Sequence, residues 1–148
     1  MNQHITASLL LALSSICSAT VNAQVTVKEA WIRATVAPQK VTGAFLQITS
    51  KQDAKLIAVS SNIADNVEIH SMEMEGDMMK MREIKDLPLP AGKTIELKPG
   101  GMHIMLFGLK KAVKEGEKIK LNLTVEDNKK QRQQVEVQAT VKAMNGGM

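Results

Sequence analysis

The chain has 148 residues, and its 19 Lys and Arg against 15 Asp and Glu give a formal net charge of +4. That length suits one domain, and so slight and dispersed a positive charge supplies solubility but no nucleic-acid-binding face. One Trp and two Phe are the whole aromatic complement and Cys17 is the single cysteine, so packing must rest on aliphatic side chains, and no internal disulfide or CxxC redox pair can form.

Residues 1–23 read as a secretory signal peptide. Leu9-Leu10-Leu11-Ala12-Leu13 is an apolar run too short to span a bilayer, and Val21-Asn22-Ala23 has the small end residues that signal peptidase accepts. The leader holds no Lys or Arg, and Ile16 before Cys17 fits a lipoprotein cleavage site poorly. The expected division is a signal peptide at 1–23, a β domain at 24–142 and a flexible, methionine-containing tail at 143–148. Cleavage after Ala23 puts the domain in the periplasm without stable membrane insertion and removes His4 and Cys17. About 125 residues remain, enough to bury a core, and their histidines are His70 and His103.

The rest of the chain reads as strands throughout. Candidate strands cover 25–33, 42–49, 55–60, 67–72, 79–84, 94–97, 103–107, 118–125 and 133–141, and several of them alternate apolar with polar residues. Ile119, Leu121, Leu123 and Val125, set against Lys118, Lys120, Asn122 and Thr124, are the clearest case. Turn chemistry separates the runs at Ala37-Pro38, Gly76-Asp77, Pro88 to Gly92, Pro99-Gly100-Gly101, Glu115-Gly116 and Asp127-Asn128. Short strands so punctuated predict an all-β sandwich or Greek-key barrel. Trp31 is expected in the core, and a short helical turn is allowed within residues 53–66.

The chemistry concentrates between residues 67 and 106. On a strand, His103 and Met105 point to one face and Ile104 and Leu106 to the other; Val67 and Ile69 likewise oppose His70. Between the histidines lie Met72, Met74, Met78, Met79 and Met81, a density that a core rarely needs. Met72 and Met74 share the face of His70, where they line a site or form an adaptable apolar patch, while Met78 and Met79 suit packing at a turn. Thioether sulfur is a soft neutral ligand that favours Cu(I), whereas zinc prefers thiolate, imidazole and carboxylate. A blue-copper redox site needs a cysteine thiolate that cleavage removes. No Ser-His-Asp arrangement is indicated, and Pro99-Gly100-Gly101 precedes a strand, not the helix of a phosphate-binding loop. The reading is therefore a binding protein, not an enzyme.

The spacing adds a family resemblance. His70 is followed after ten residues by Met81, Met81 after twenty-one by His103, and Met105 completes His-x-Met. This resembles the periplasmic copper chaperones of the PCuAC type, whose motif is His-x10-Met-x21-His-x-Met. Ala30-Trp31-Ile32-Arg33-Ala34-Thr35, Gly43-Ala44-Phe45-Leu46, Glu68-Ile69-His70-Ser71-Met72 and Pro99-Gly100-Gly101-Met102-His103-Ile104-Met105-Leu106 extend the resemblance over most of the domain. It implies a cupredoxin-like Greek-key β fold. It also implies one Cu(I) per chain, carried as cargo by His70, Met81, His103 and Met105 near the surface. Delivery would be to the CuA-type copper centre of a respiratory oxidase subunit or to another periplasmic copper protein, with a thiol-disulfide partner keeping the acceptor reduced. Two other readings compete: a general periplasmic copper storage or tolerance protein, and a metal-free β-sandwich interaction module. The tail, Ala143-Met144-Asn145-Gly146-Gly147-Met148, offers at most a weak thioether contact.

Overall fold

A computed structural model of the chain describes residues 24–143. The signal peptide expected at 1–23 and all but the first residue of the tail lie outside them. The described residues hold ten strands: β1 (Val25–Arg33), β2 (Val41–Ser50), β3 (Ala54–Ser60), β4 (Asn66–Glu75), β5 (Met78–Glu83), β6 (Leu87–Leu89), β7 (Thr94–Leu97), β8 (His103–Phe107), β9 (Lys118–Asp127) and β10 (Arg132–Lys142). No helix occurs among them. The helical turn allowed within 53–66 is strand β3 followed by a turn at 62–63; Leu56 and Val59 on that strand are drawn into the core.

Hydrogen bonding runs in the order β5-β4-β8-β2-β1-β10-β9-β3-β6, with β7 beside β8 along the same edge of β2. β1 is the hinge of the architecture. It pairs antiparallel with β2 and, through Trp31, Ile32 and Arg33, parallel with β10. Its register shifts between Lys28 and Trp31, where Glu29 takes a left-handed φ of 52°. Bulges bend and twist a strand, and here the bend lets one half of the sheet fold over the other into a sandwich.

Inward-facing Ile32, Ala44, Leu46, Ile48, Ile69, Ile104 and Leu106 of one layer meet Leu56, Leu121, Leu123, Val125, Ala139 and Val141 of the other. The all-β sandwich expected from the alternation is thus what the chain forms. Trp31 departs from expectation. Its neighbour Ile32 takes the inward position at 0% exposure, so strand parity turns Trp31 to the outer face.

The opposite surface of the β5-β4-β8-β2-β1 layer faces away from this core, and the histidines lie there. Its central register is pinned at the end of β8. The backbone N–H of Asp65 donates to the carbonyls of Phe107 and Gly108 at 3.0 and 3.3 Å. Gly108 has φ +66°, and a Cβ there would fall 2.5 Å from the Asp65 carboxylate, so glycine is required for β4 to start where it does.

Candidate metal site

Strand pairing assembles the site. In the β4–β8 ladder His70 lies directly opposite His103, and Glu68 opposite Met105. In the β4–β5 hairpin Met72 lies opposite Met81, a register set by the two-residue turn at Gly76-Asp77. β2 brings Gly43 opposite Met105. Directly opposed residues share a sheet face, so both histidines and Met72, Met81 and Met105 emerge together on the outer face. The two imidazoles meet edge to face, with ring centroids 5.6 Å apart and planes at 67°.

Met72, Met81, His103 and Met105 line one open cleft of about 210 Å³, together with Arg33, Gly43, Phe45, Pro99 and Gly100. His70 stands beside it, its ring between those of His103 and Phe107, the latter at 5.9 Å. Glycine at 43 has a local purpose: a Cβ there would come within 3.0 Å of the Phe45 ring. The vacant position lets that ring lie along β2, tilted 35° against Trp31 with centroids 4.5 Å apart and beneath the Arg33 guanidinium at 5.6 Å. Phe45, backed by Trp31, thus walls one side of the cleft. Pro99 and Gly100 wall another side, in a turn closed by hydrogen bonds between Lys98 and both Gly101 and Met102.

Hydrogen bonds then decide which ring nitrogens are free. His70 Nε2 lies 2.8 Å from Glu68 Oε2; an ionised carboxylate can only accept, so Nε2 carries the proton. The hydrogen bond from His70 holds the Glu68 carboxyl below its usual range, opposed by desolvation and reinforced by the Asn66 amide at 2.7 Å. That leaves His70 Nδ1 buried with no hydrogen-bond partner among the described residues, an arrangement that costs free energy unless something binds there. His103 is arranged the other way round: its Nδ1 donates to the Gly101 carbonyl at 2.8 Å, so the lone pair is on Nε2. Each histidine therefore keeps one basic nitrogen uncommitted while its other nitrogen is anchored.

The donor set is soft. Among the described residues no group of three or more His, Cys, Asp and Glu side chains converges on a point, so this face has no cage for a hard cation. What it has is two imidazoles and neighbouring thioethers, the chemistry that suits Cu(I). His103 is 8% exposed but Met81 is 53% exposed, so the face has an enclosed side and an open one. A larger depression, about 750 Å³, is lined by Ile57, Ala58, Lys85, Asp86, Glu126, Lys130 and Arg132 and offers no soft donor.

All four residues singled out by spacing thus come to one region: Met81, His103 and Met105 line the cleft, and His70, the fourth, packs against His103 beside it. Met72 proves as close to the cleft as Met81, its cross-strand partner. Glu68 was not singled out for any role, although it precedes His70 by two residues and so shares its face. Between His70 and Met81 the strands run longer than the alternation predicts: Met72 and Met74 are on β4, and Met78, Met79 and Met81 on β5. Met102 packs against the core as its phase suggests. Met144 and Met148 lie outside the described residues.

Comparison with known proteins gives a consistent picture. The family described as "Putative lipoprotein LpqE-like" matches residues 25–141. "Putative lipoprotein Lxx21020" from Leifsonia xyli subsp. xyli is 35% identical over 106 residues, covering 70% of this chain; the match spans 63% of that relative's own length. Among solved structures, the copper-bound PCuAC domain from PmoF2 has a TM-score of 0.66 at 20% identity, over 81% of this chain and 93% of that one. CuI-DR1885 from Deinococcus radiodurans has a TM-score of 0.62 at 27% identity, over 88% of this chain and 85% of that one. The first of these structures is a likeness of fold alone.

Proposed function

The chain belongs to the LpqE-like family, and from that premise and the donor geometry we propose that it is an extracytoplasmic copper chaperone. Cu(I) is held by His70 Nδ1, His103 Nε2 and the sulfurs of Met81 and Met105. The observation that carries the reading is the pair of opposed imidazoles, each with one nitrogen anchored and the other free, on a face that also bears thioethers. The copper-bound PmoF2 domain and CuI-DR1885 support it, as proteins of similar fold named for that metal.

Four neutral ligands leave the bound ion with its single positive charge, which suits Cu(I) and disfavours the harder Cu(II). Release follows from the exposed side: a partner's thiolate or imidazole displaces the Met81 thioether first, while the anchored histidines keep the ion in place until exchange is complete. The acceptor is a copper site of respiratory oxidase type, and the protein works in the periplasm as a carrier, not a catalyst. Transfer of Cu(I) from the protein to an isolated apo CuA domain, compared between wild type and His103→Ala, tests this. Equal transfer by both removes the assigned site. Transfer to no acceptor despite tight binding favours storage or tolerance, and no binding favours a metal-free interaction module.

The division of the chain is proposed as a signal peptide at 1–23, a metal-binding domain at 24–142 and a short tail. The family and the Leifsonia relative both carry "lipoprotein" in their names, and Cys17 is this chain's one cysteine. Cleavage after Ala23 yields a chain beginning at Gln24, whereas lipid on Cys17 retains residues 17–23. The intact mass of the exported protein distinguishes the two.

A further inference from the structure

The β4–β5 hairpin carries more methionine than the site at its base uses. β4 pairs with β8 only as far as His70, and beyond that point it pairs with β5 alone among the described residues. From Ser71 to Arg82 the chain is therefore a two-stranded ribbon projecting past the sheet, a structure of marginal stability by itself. Its two faces differ sharply. On one, Arg82 contacts Glu73 and Glu75 at 3.2 Å each and Lys80 contacts Glu75 at 2.9 Å. On the other, Met72 opposes Met81 and, one rung further out, Met74 opposes Met79.

The outer rung lies open to solvent, with Met74 64% and Met79 50% exposed. Threonine or charged residues would fill these positions at less cost to solubility, since exposed apolar ribbons invite edge-to-edge association. Opposed Cβ atoms on such a ribbon are roughly 4.5–5.5 Å apart, and successive rungs on one face about 6.8 Å apart. Thioether arms of that spacing can converge on one ion within a rung and reach the next rung. Being neutral, the rungs hold a soft monovalent cation without binding hard divalent ones.

We propose that Met74 and Met79 form a second, outer Cu(I) site, the entrance of a methionine ladder that passes the ion to Met72 and Met81 and so to the histidines. The proposal rests on the reading of the inner site as a Cu(I) site. Each step between rungs exchanges one thioether for another on the ion, and the last exchanges a thioether for an imidazole lone pair; no electron moves, and no co-reactant is needed. The ion pairs of the ribbon lie on its opposite face and leave the sulfur face free to bind.

The test is anaerobic titration of the whole exported protein with Cu(I) supplied as its acetonitrile complex, observed through the methionine methyl resonances. A Met74→Leu/Met79→Leu double variant, which keeps the apolar volume and loses the sulfurs, serves as the comparison. The expected result is that Met105 and Met81 respond to the first equivalent and Met74 and Met79 to a second. The double variant loses the second equivalent and fills its inner site more slowly. Methyls of Met74 and Met79 that stay fixed in excess Cu(I) while Met105 moves overturn the ladder and leave the inner site standing. A double variant that loads its inner site as fast as wild type overturns the entrance role. If no methionine responds, the inner site itself is wrong and the ladder falls with it.

Discussion

Glu68 is the residue whose replacement tests the site most sharply without touching a donor atom. Its carboxylate is 2.8 Å from His70 Nε2 and fixes the tautomer that leaves Nδ1 free. Loss of an outer partner of this kind costs about 10- to 100-fold in metal affinity. Glu68→Ala removes both charge and acceptor and is expected near the upper end of that range. Glu68→Gln keeps an oxygen that can accept from Nε2 and is expected near the lower end. Competition against a chromophoric Cu(I) chelator measures both, and the ¹⁵N shifts of His70 in the metal-free variants report the tautomer. If Glu68→Ala binds Cu(I) as tightly as wild type, the anchoring argument is wrong. The same contact has a signature in stability. Because the folded carboxyl is held below its usual range, it adds stability above the unfolded glutamate value, about 4.3. That contribution disappears as pH falls through the lower folded value, so the unfolding midpoints of wild type and Glu68→Gln converge on acidification.

Three further outcomes follow from the same geometry. Met81→Leu, at a half-exposed position, leaves unfolding stability within about 0.5 kcal/mol while weakening Cu(I) binding; denaturant melts and chelator competition on one sample separate the two effects. Gly108→Ala forces a side chain into a left-handed φ and onto the Asp65 carboxylate, and is expected to cost about 1–3 kcal/mol by urea unfolding; an unchanged midpoint would show that the β4–β8 register does not depend on this contact. Because a metal-bound imidazole nitrogen cannot also hold a proton, Cu(I) affinity measured by chelator competition falls on acidification, and a flat profile argues against histidine ligation.

Much of this was legible in the chain because one sheet face is buried. Wherever Ile104, Leu106 and Ile69 must point inward, period-2 alternation leaves His103, Met105 and His70 no choice but to point outward. The same rule places Trp31 outside once Ile32 is inside, yet its size and apolar character suggested the core. What sequence alone hid was mostly pairing. Strand β6 escaped notice because Leu87-Pro88-Leu89 is short and contains proline, which is tolerated at the sheet edge where β6 sits. The equivalence of Met72 and Met81 depends on hairpin register, and the Gly76-Asp77 turn held that information: counting back from Glu75 opposite Met78 reaches the pair. Glu68 was visible as a same-face neighbour of His70, but its role required knowing which nitrogen it touches.

The central claim is that Cu(I) binds His70 through Nδ1 and His103 through Nε2, with Met81 and Met105 completing the set. Long-range ¹H–¹⁵N correlation spectra of the Cu(I)-loaded protein, recorded with methionine methyl spectra, read all four donors at once. The account expects the Nδ1 resonance of His70 and the Nε2 resonance of His103 to shift on loading, together with the methyls of Met81 and Met105. Unshifted imidazole nitrogens, or shifts at His70 Nε2 and His103 Nδ1 instead, would contradict it.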